Sequence, residues 1–439
     1  MAGVYFLYSA TLALLLILTL PWWLVQMLRL GKYRAGLRER LGGVPARIRP
    51  GAEDAAARLP VAWIHAVSVG EVLAIAPMVE RLRERGSGGQ GYRVVVSTTT
   101  HTGQKLAREK FGEENVFYFP IDLGLCIRPY LRALRPELVI LAETEFWPNF
   151  LRLAGASGAR LAVVNGRISD RSLPRYLRFR GLLRTVLAPV ELFLAQSEGD
   201  AERLRAVGAA EERVEVAGNL KFDAEPPVES AAVTQLGEQL RAGGAPVLVA
   251  GSTVEDEEEH VLAAFQMVLV EYPAASLVLA PRHKERFDAV ARLLSLRGVR
   301  FVRRSAPDAA AKDLRGAVLL LDTLGELAAI YRYSNIAFVG GSLVPRGGHN
   351  ILEPAFFARA ILTGPYTENF RDILSCFESR RAVVRCTTKN LGITFLLLLR
   401  EGAEREALGE RAQQVLMEQR GATARSVTRL LELVAKGRR

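Results

Sequence analysis

Residues 4–29, VYFLYSATLALLLILTLPWWLVQMLR, form an almost unbroken apolar run with no charge before Arg29. A run of that length makes a helix long enough to cross a bilayer. From about residue 60 the pattern changes, and short apolar runs alternate with stretches whose apolar positions recur at helical spacing. The runs at 61–67, 93–98, 116–120, 138–143, 160–165, 192–196 and 213–217 read as strands. An acidic break with two prolines, DAEPPVES, follows at 223–230. A second series of strands is then expected at 246–250, 276–280, 299–303, 317–321, 336–340, 360–364 and 382–386. Strands alternating with helices predict α/β architecture, with parallel sheets covered by helices on both faces. Two series joined by a break predict two Rossmann-like domains facing a cleft. The stretch 403–437 reads as a charged amphipathic helix that closes the chain and packs back across the domains.

These patterns set the domain expectation: a membrane anchor and interfacial segment at 1–31, a first domain at 32–222, a linker at 223–230 and a second domain with its terminal helix at 231–439. The anchor is favoured over a cleaved leader because the basic residues Arg29, Lys32, Arg34, Arg38 and Arg40 follow the run rather than precede it, and no small-residue cleavage site comes after. Trp22 and Trp23 suit a membrane interface, and the basic residues behind them place the remainder of the chain in the cytoplasm. With 58 Lys and Arg against 47 Asp and Glu, the formal net charge is +11. A second basic cluster runs from Arg167 to Arg184. Without a helix-turn-helix, zinc or RNA-binding signature, this excess points to an anionic membrane or anionic substrates rather than nucleic acid. The cysteines Cys126, Cys376 and Cys386 are far apart and lack metal-ligand spacing, so they read as reduced thiols.

In open parallel sheets ligands sit at the carboxyl ends of strands, so the strand-to-helix turns matter most. In HAVSVGE (65–71), Glu71 falls at the start of a helix. There it is either a cap for its own helix or an ionised carboxylate able to take a proton from a bound hydroxyl. LAETEFWPN (141–149) places Glu143 and Glu145 at a strand end, where alternation points them in different directions: one into the cleft, the other towards an arginine. STTTHTGQ (97–104) either binds sugar hydroxyls or caps the next helix, and His101 reads as structural. VNGRISDRS (164–172) offers Arg167 and Arg171 to an anion, and GNLKFD (218–223) sets Lys221 at the domain junction. In the second half, Ser252 and Thr253 of AGSTVEDEEE either donate to a phosphate or cap a helix. Arg282 and His283 end the next strand, and DTLGELAAIY (322–331) makes another strand-turn-helix around Gly325. In VGGSLVPRGGHNILEPA (339–355), four glycines allow close approach of a ligand. The turn is expected to feed a helix from about His349–Asn350, whose N-terminus receives a phosphate while Glu353 reaches ribose hydroxyls. Four such turns favour a nucleotide site. The first strand-helix unit has no G-x-G-x-x-G, and a P-loop signature is also missing from the sequence.

Taken together, HAVSVGE, ETEFWPN (143–149), GNLKFD, APRHKERF (280–287), DTLGEL (322–327) and GGSLVPRGGHNILEPA (340–355) closely resemble the Kdo transferases of Gram-negative bacteria, in order along almost the whole chain. The resemblance implies a GT-B glycosyltransferase with an acceptor-binding first domain and a donor-binding second domain. It implies inverting transfer of 3-deoxy-D-manno-octulosonic acid (Kdo) from CMP-Kdo to the lipid A precursor lipid IVA at the bacterial inner membrane, without a metal or other cofactor. Carried over by motif, Glu71 is the general base, and Glu143 and Lys221 stabilise the transition state. CMP is held by Pro281 and Arg282, by Leu324, Gly325 and Glu326, and by Asn350, Ile351, Leu352 and Glu353. Ile351 departs from the pattern, since proline is common at that place. The rival readings are a transferase using a UDP-sugar and a non-catalytic membrane-anchored sugar- or lipid-binding protein.

Overall fold

A computed structural model describes residues 2–30, 34–49, 59–85, 91–225, 229–307, 309 and 312–437. Lys32 and residues 226–228 of the expected linker lie outside the described residues. The chain divides into two compact units: Met1–Ala224 together with Gln419–Arg439, and Glu225–Glu418.

The first unit is built on seven strands: β1 (Val61–His65), β2 (Arg93–Thr98), β3 (Val116–Tyr118), β4 (Leu138–Ala142), β5 (Arg160–Gly166), β6 (Leu192–Ala195) and β7 (Val214–Val216). They pair in parallel in the order β3-β2-β1-β4-β5-β6-β7. Alternate residues of each strand face opposite layers. Trp63, Val95, Leu141 and Val163 pack with Ile127, Phe150 and Val186. Ala62, Ile64, Val96 and Ile140 pack on the other side with Val72, Ile75 and Val79. Burial on both faces explains why these strands read as continuous apolar runs rather than alternating ones.

The second unit has seven more strands: β8 (Val247–Thr253), β9 (Ser276–Pro281), β10 (Phe301–Arg303), β11 (Val318–Leu320), β12 (Ile336–Val339), β13 (Ala360–Thr363) and β14 (Val384–Arg385). Their order is β10-β11-β9-β8-β12-β13-β14, again parallel. Every strand expected from the apolar runs is therefore present.

Two expectations about the termini need correction. The stretch 403–437 is two helices, Gly402–Gln419 and Ala422–Gly437, separated at Gly421, whose φ of +99° suits glycine. The second of them does not belong to the domain expected at 231–439. Leu430 and Val434 are buried against Val72, Ile75 and Val79 of the first unit, and the Asp223 carboxylate accepts the backbone N–H groups of Gly421 and Thr423 at its start. The N-terminal apolar run forms one helix, Ala2–Leu30, the one helix among the described residues with the length and apolarity to cross a membrane.

Candidate active site

In the first sheet the strand order reverses between β1 and β4, the kind of switch point at which ligands bind. Glu71 follows β1 and Glu143 follows β4. Ser68 caps the helix Val69–Glu84. Its hydroxyl donates to Glu71 Oε1 at 2.8 Å, and the Val67 N–H donates to Oε2 at 2.8 Å. This S-x-x-E arrangement is a capping box variant. Glu71 thus caps its own helix, as the simpler reading of the sequence held, and the same bonds aim its carboxylate. Burial raises its pKa. The Val67 and Ser68 hydrogen bonds and Lys221 act in the other direction, while Glu143 adds to the rise. Burial thus outweighs the hydrogen bonds and the lysine in setting the direction of the shift.

Glu143 sits at φ +57°, a left-handed conformation unusual for a side-chain-bearing residue. Its N–H donates to the Val164 carbonyl at 2.9 Å, and its Oε1 accepts from Lys221 Nζ at 3.2 Å. The strand ends at Ala142, so Glu143 and Glu145 lie in a turn and strand alternation does not govern them. Glu145 is not set towards an arginine as expected. Its surroundings are Glu71, Trp147 and Glu143, and burial with the Glu71 charge pushes its pKa up to about 7. Three carboxylates and one lysine thus share one end of the first sheet.

Lys221 is fixed by a set of amides that sequence reading missed. The Leu220 N–H donates to Asn165 Oδ1 at 2.9 Å, and the Lys221 N–H to Asn219 Oδ1 at 3.0 Å. Gln196 joins them: its Nε2 donates to the Asn165 carbonyl and its Oε1 accepts from Asn219 Nδ2. Asn165, the last residue but one of β5, sits at φ +55°. Its segment, VNGRISDRS, draws attention in the sequence to Arg167 and Arg171, and nothing there singles out the asparagine. The hydroxyl-rich run after β2 takes its capping role. Thr100 caps the helix His101–Phe111, and its hydroxyl donates to the Val67 carbonyl at 3.0 Å, bracing the loop that holds Glu71. His101 Nδ1 lies 3.2 Å from the Tyr118 hydroxyl, a structural contact.

In the second unit, Pro281 ends β9 and Arg282 follows it. Arg282 lies near both His349 and Glu353: its charge, after burial, helps lower the His349 pKa to about 4, and it opposes the rise that burial gives Glu353. The APRH and GHNILE segments are therefore brought together. Asn350 accepts from the Leu352 N–H at 3.1 Å and donates to Glu353 Oε1 at 3.3 Å. The helix expected from His349–Asn350 is a single turn, Leu352–Ala355, too short to supply the dipole expected for a phosphate. Ile351 has φ −84°, close to the angle proline imposes, so its substitution leaves the turn intact. Leu324 is 72% exposed, whereas Glu326 is held by Arg304 at 2.8 Å and by the Thr323 hydroxyl.

The glycine loop after β12 also differs from expectation. Its backbone N–H groups are already engaged by a carboxylate, Glu257, from the acidic run after β8. Glu257 is fully buried. It accepts from Gly341 N at 2.6 Å, Leu343 N at 2.7 Å, Ser342 N at 2.8 Å and Val254 N at 3.0 Å. Nothing in EDEEE singled out its third acid. Thr253 turns to Glu258, so it neither caps a helix nor points to a ligand here. Gly341, at φ +69°, has the His349 ring 2.6 Å from where a Cβ would stand, so glycine is required for that contact.

Residues 35–224 match the family model described as 3-Deoxy-D-manno-octulosonic-acid transferase (kdotransferase). The chain is 35% identical over 378 residues to the 3-deoxy-D-manno-octulosonic acid transferase of Haemophilus influenzae, covering 85% of this chain and 86% of that one. It is 34% identical over 404 residues to the enzyme of that name from Bordetella pertussis, covering 88% and 90% respectively. Among solved structures, the UDP-GlcNAc 2-epimerase of Neisseria meningitidis is similar in fold, with a TM-score of 0.56 at 13% identity over 86% of this chain and 100% of that one. Two parallel Rossmann-like sheets and similarity to these enzymes over more than four fifths of the sequence place the chain in the 3-deoxy-D-manno-octulosonic acid (Kdo) transferase family, as a glycosyltransferase of the GT-B class.

Proposed function

We propose that the chain moves Kdo from CMP-Kdo onto lipid IVA, inverting the anomeric centre and releasing CMP, as a step of lipopolysaccharide synthesis at the bacterial inner membrane. The observation that carries this reading is the gathering of Glu71, Glu143 and Lys221 at one switch point. A sugar alcohol is a poor nucleophile until its proton leaves. Glu71, oriented by Ser68 and Val67, takes that proton. Glu143 fixes the Lys221 ammonium by their ion pair, and the ammonium offsets negative charge that builds as the donor bond breaks. In the second unit Pro281, Arg282, Leu324 to Glu326 and Asn350 to Glu353 hold CMP, with the Arg282 charge close to His349 and Glu353. Both substrates carry negative charge, which accounts for a basic protein without nucleic acid. No cofactor is assigned a step.

The test uses CMP-Kdo and lipid IVA with mass spectrometry of the product. Glutamine also serves in a capping box, so Glu71→Gln should keep the fold and CMP-Kdo affinity while turnover falls roughly 10²–10⁴-fold. Normal turnover by the folded variant removes Glu71 from the mechanism. Failure of the unaltered protein with CMP-Kdo, but not with a UDP-sugar, overturns the donor.

A further inference from the structure

The N-terminal helix Ala2–Leu30 is attached to the first unit near its beginning. Tyr5 is 8% exposed, and its hydroxyl donates to the Thr185 carbonyl at 3.2 Å. The Arg152 guanidinium lies 4.9 Å from the centre of the Tyr5 ring. Asn149 Nδ2 donates to Ser9 Oγ at 3.0 Å, and Tyr8 hydrogen-bonds Asp122. Asp122 in turn accepts the N–H groups of Asn149 and Phe150 at 3.0 and 2.7 Å. These contacts tie the first turns of the helix to the loop before Gly124–Leu134 and to the helices Pro148–Ala156 and Arg180–Leu187.

The other end is tethered to the same unit. Gly36 stands against the Tyr118 ring of β3. The Ile121 N–H donates to the Arg40 carbonyl at 2.8 Å, and the Tyr118 N–H to Glu39 Oε2 at 2.8 Å. Four peptide steps separate Leu30 from Arg34, which bridge at most about 14 Å. A 29-residue helix is roughly 43 Å long, and a hydrocarbon core about 30 Å thick separates the two faces of a bilayer. A helix that crossed the bilayer with Arg34 on the side of the domain would put Tyr5 and Ser9 on the far side, away from Thr185 and Asn149. The contacts at both ends cannot coexist with that topology.

The pattern of burial along the first half agrees. Positions 5, 8, 9, 12, 13 and 16 are buried or half-buried and recur at helical spacing on one face. On the opposite face Leu7, Leu14 and Leu18 are 56–68% exposed. Leu125, Leu177, Phe179 and Leu182 add exposed apolar groups on neighbouring elements of the same unit. Arg175, Arg178, Arg180 and Arg184 lie among the last three, which suits anionic headgroups above an apolar layer.

We propose that the N-terminal helix lies in a single leaflet of an anionic bilayer, docked along the first unit with both its ends on the side of that unit, and does not span the membrane. This rests on the membrane association of that helix and not on the transfer chemistry, so its test is independent of activity. The full chain is placed in a background with Cys126, Cys376 and Cys386 replaced by alanine. Ser9→Cys with Asn149→Cys is treated in native membranes with an oxidant or a short bismaleimide. Thiols left free after denaturation are counted with a polyethylene-glycol maleimide. The docked helix predicts loss of both free thiols in the monomer. Both thiols remaining free, while each single variant reacts with a small maleimide, overturns docking. Separately, Gly3→Cys should react with a membrane-impermeant maleimide in inverted vesicles and not in intact spheroplasts. Labelling in intact spheroplasts to the extent found after detergent overturns the single-leaflet topology.

Discussion

Glu257→Gln should destabilise the second unit far more than its conservative character suggests. The carboxylate receives two backbone N–H donors at each oxygen: Val254 and Gly341 at Oε2, Ser342 and Leu343 at Oε1. A glutamine keeps one oxygen and replaces the other with an NH₂, which faces two N–H groups it cannot accept from. Each buried donor left without a partner costs roughly 1–3 kcal/mol, so two give about 4 kcal/mol. For a unit of this size that corresponds to a fall in Tm of roughly 8–16 °C. Glu257→Asp keeps both oxygens but shortens the reach, and should fall between the two. The assay is calorimetry or urea unfolding of the whole protein, with the two units followed as separate transitions. The transition of the first unit, which carries Glu71 and Lys221, should stay where it is. Binding of CMP-Kdo should weaken with the second unit, because the loop that Glu257 holds also presents His349 to Gly341. A loss below about 1 kcal/mol would mean that these four bonds exchange with water at little cost, and the view of Glu257 as the internal anion of the glycine loop would fail.

Arg282→Ala should weaken CMP-Kdo binding roughly 10–100-fold, the worth of about 1.5–3 kcal/mol for a hydrogen bond to a charged group. Titration calorimetry reads this directly, and unchanged affinity refutes the role of Arg282. Glu145 holds a proton up to about pH 7 because burial and the Glu71 charge oppose its ionisation. Above that pH a further negative charge appears beside Glu71 and Glu143, so KM for the anionic substrates should climb in the unaltered protein and stay level in Glu145→Gln. The sign for stability follows from the raised pKa. The native state binds this proton more tightly than the unfolded chain, so its contribution is full below about pH 4.5 and is lost as pH rises towards 7. Superimposable KM and stability profiles for Glu145→Gln and the unaltered protein would refute this placement.

Much of the fold was legible because its signals are local. Burial of both sheet faces turns each strand into an apolar run. Ser68 and Glu71, three residues apart, announce a helix start without tertiary information. The attachments at the two chain ends were not legible. The helix Ala422–Gly437 has an apolar stripe that would fit either unit. What sends it to the first is Asp223, 198 and 200 residues before the Gly421 and Thr423 N–H groups it accepts, together with the apolar face of Val72, Ile75 and Val79 that the helix covers. The N-terminal run gave the length and apolarity of a membrane helix, but composition says nothing about a Ser9–Asn149 hydrogen bond. Such contacts, at both ends of the helix, carry the proposal that it lies flat.

The site divides in the same way. Motif resemblance found Glu71, Glu143 and Lys221, but spacing gave no reason for them to meet. They meet because β1 and β4 are neighbours across the reversal of strand order, and because the amides of Asn165, Gln196 and Asn219 fold the chain after β7 back towards that reversal. The amides come from three different strand ends, and each is unremarked in its own segment. The same topology explains Glu145. Once β4 stops at Ala142, the next residues turn back over the sheet end rather than continuing along it, so a second acid lands beside Glu71 instead of beyond it. Lys221 then answers two of the three carboxylates, Glu143 and Glu71, while burial and the Glu71 charge keep the third, Glu145, protonated up to about pH 7. The left-handed backbone of Glu143 is the local cost of making that turn while its side chain still reaches Lys221, a strain of about 1–3 kcal/mol held by the Val164 hydrogen bond and the ion pair together.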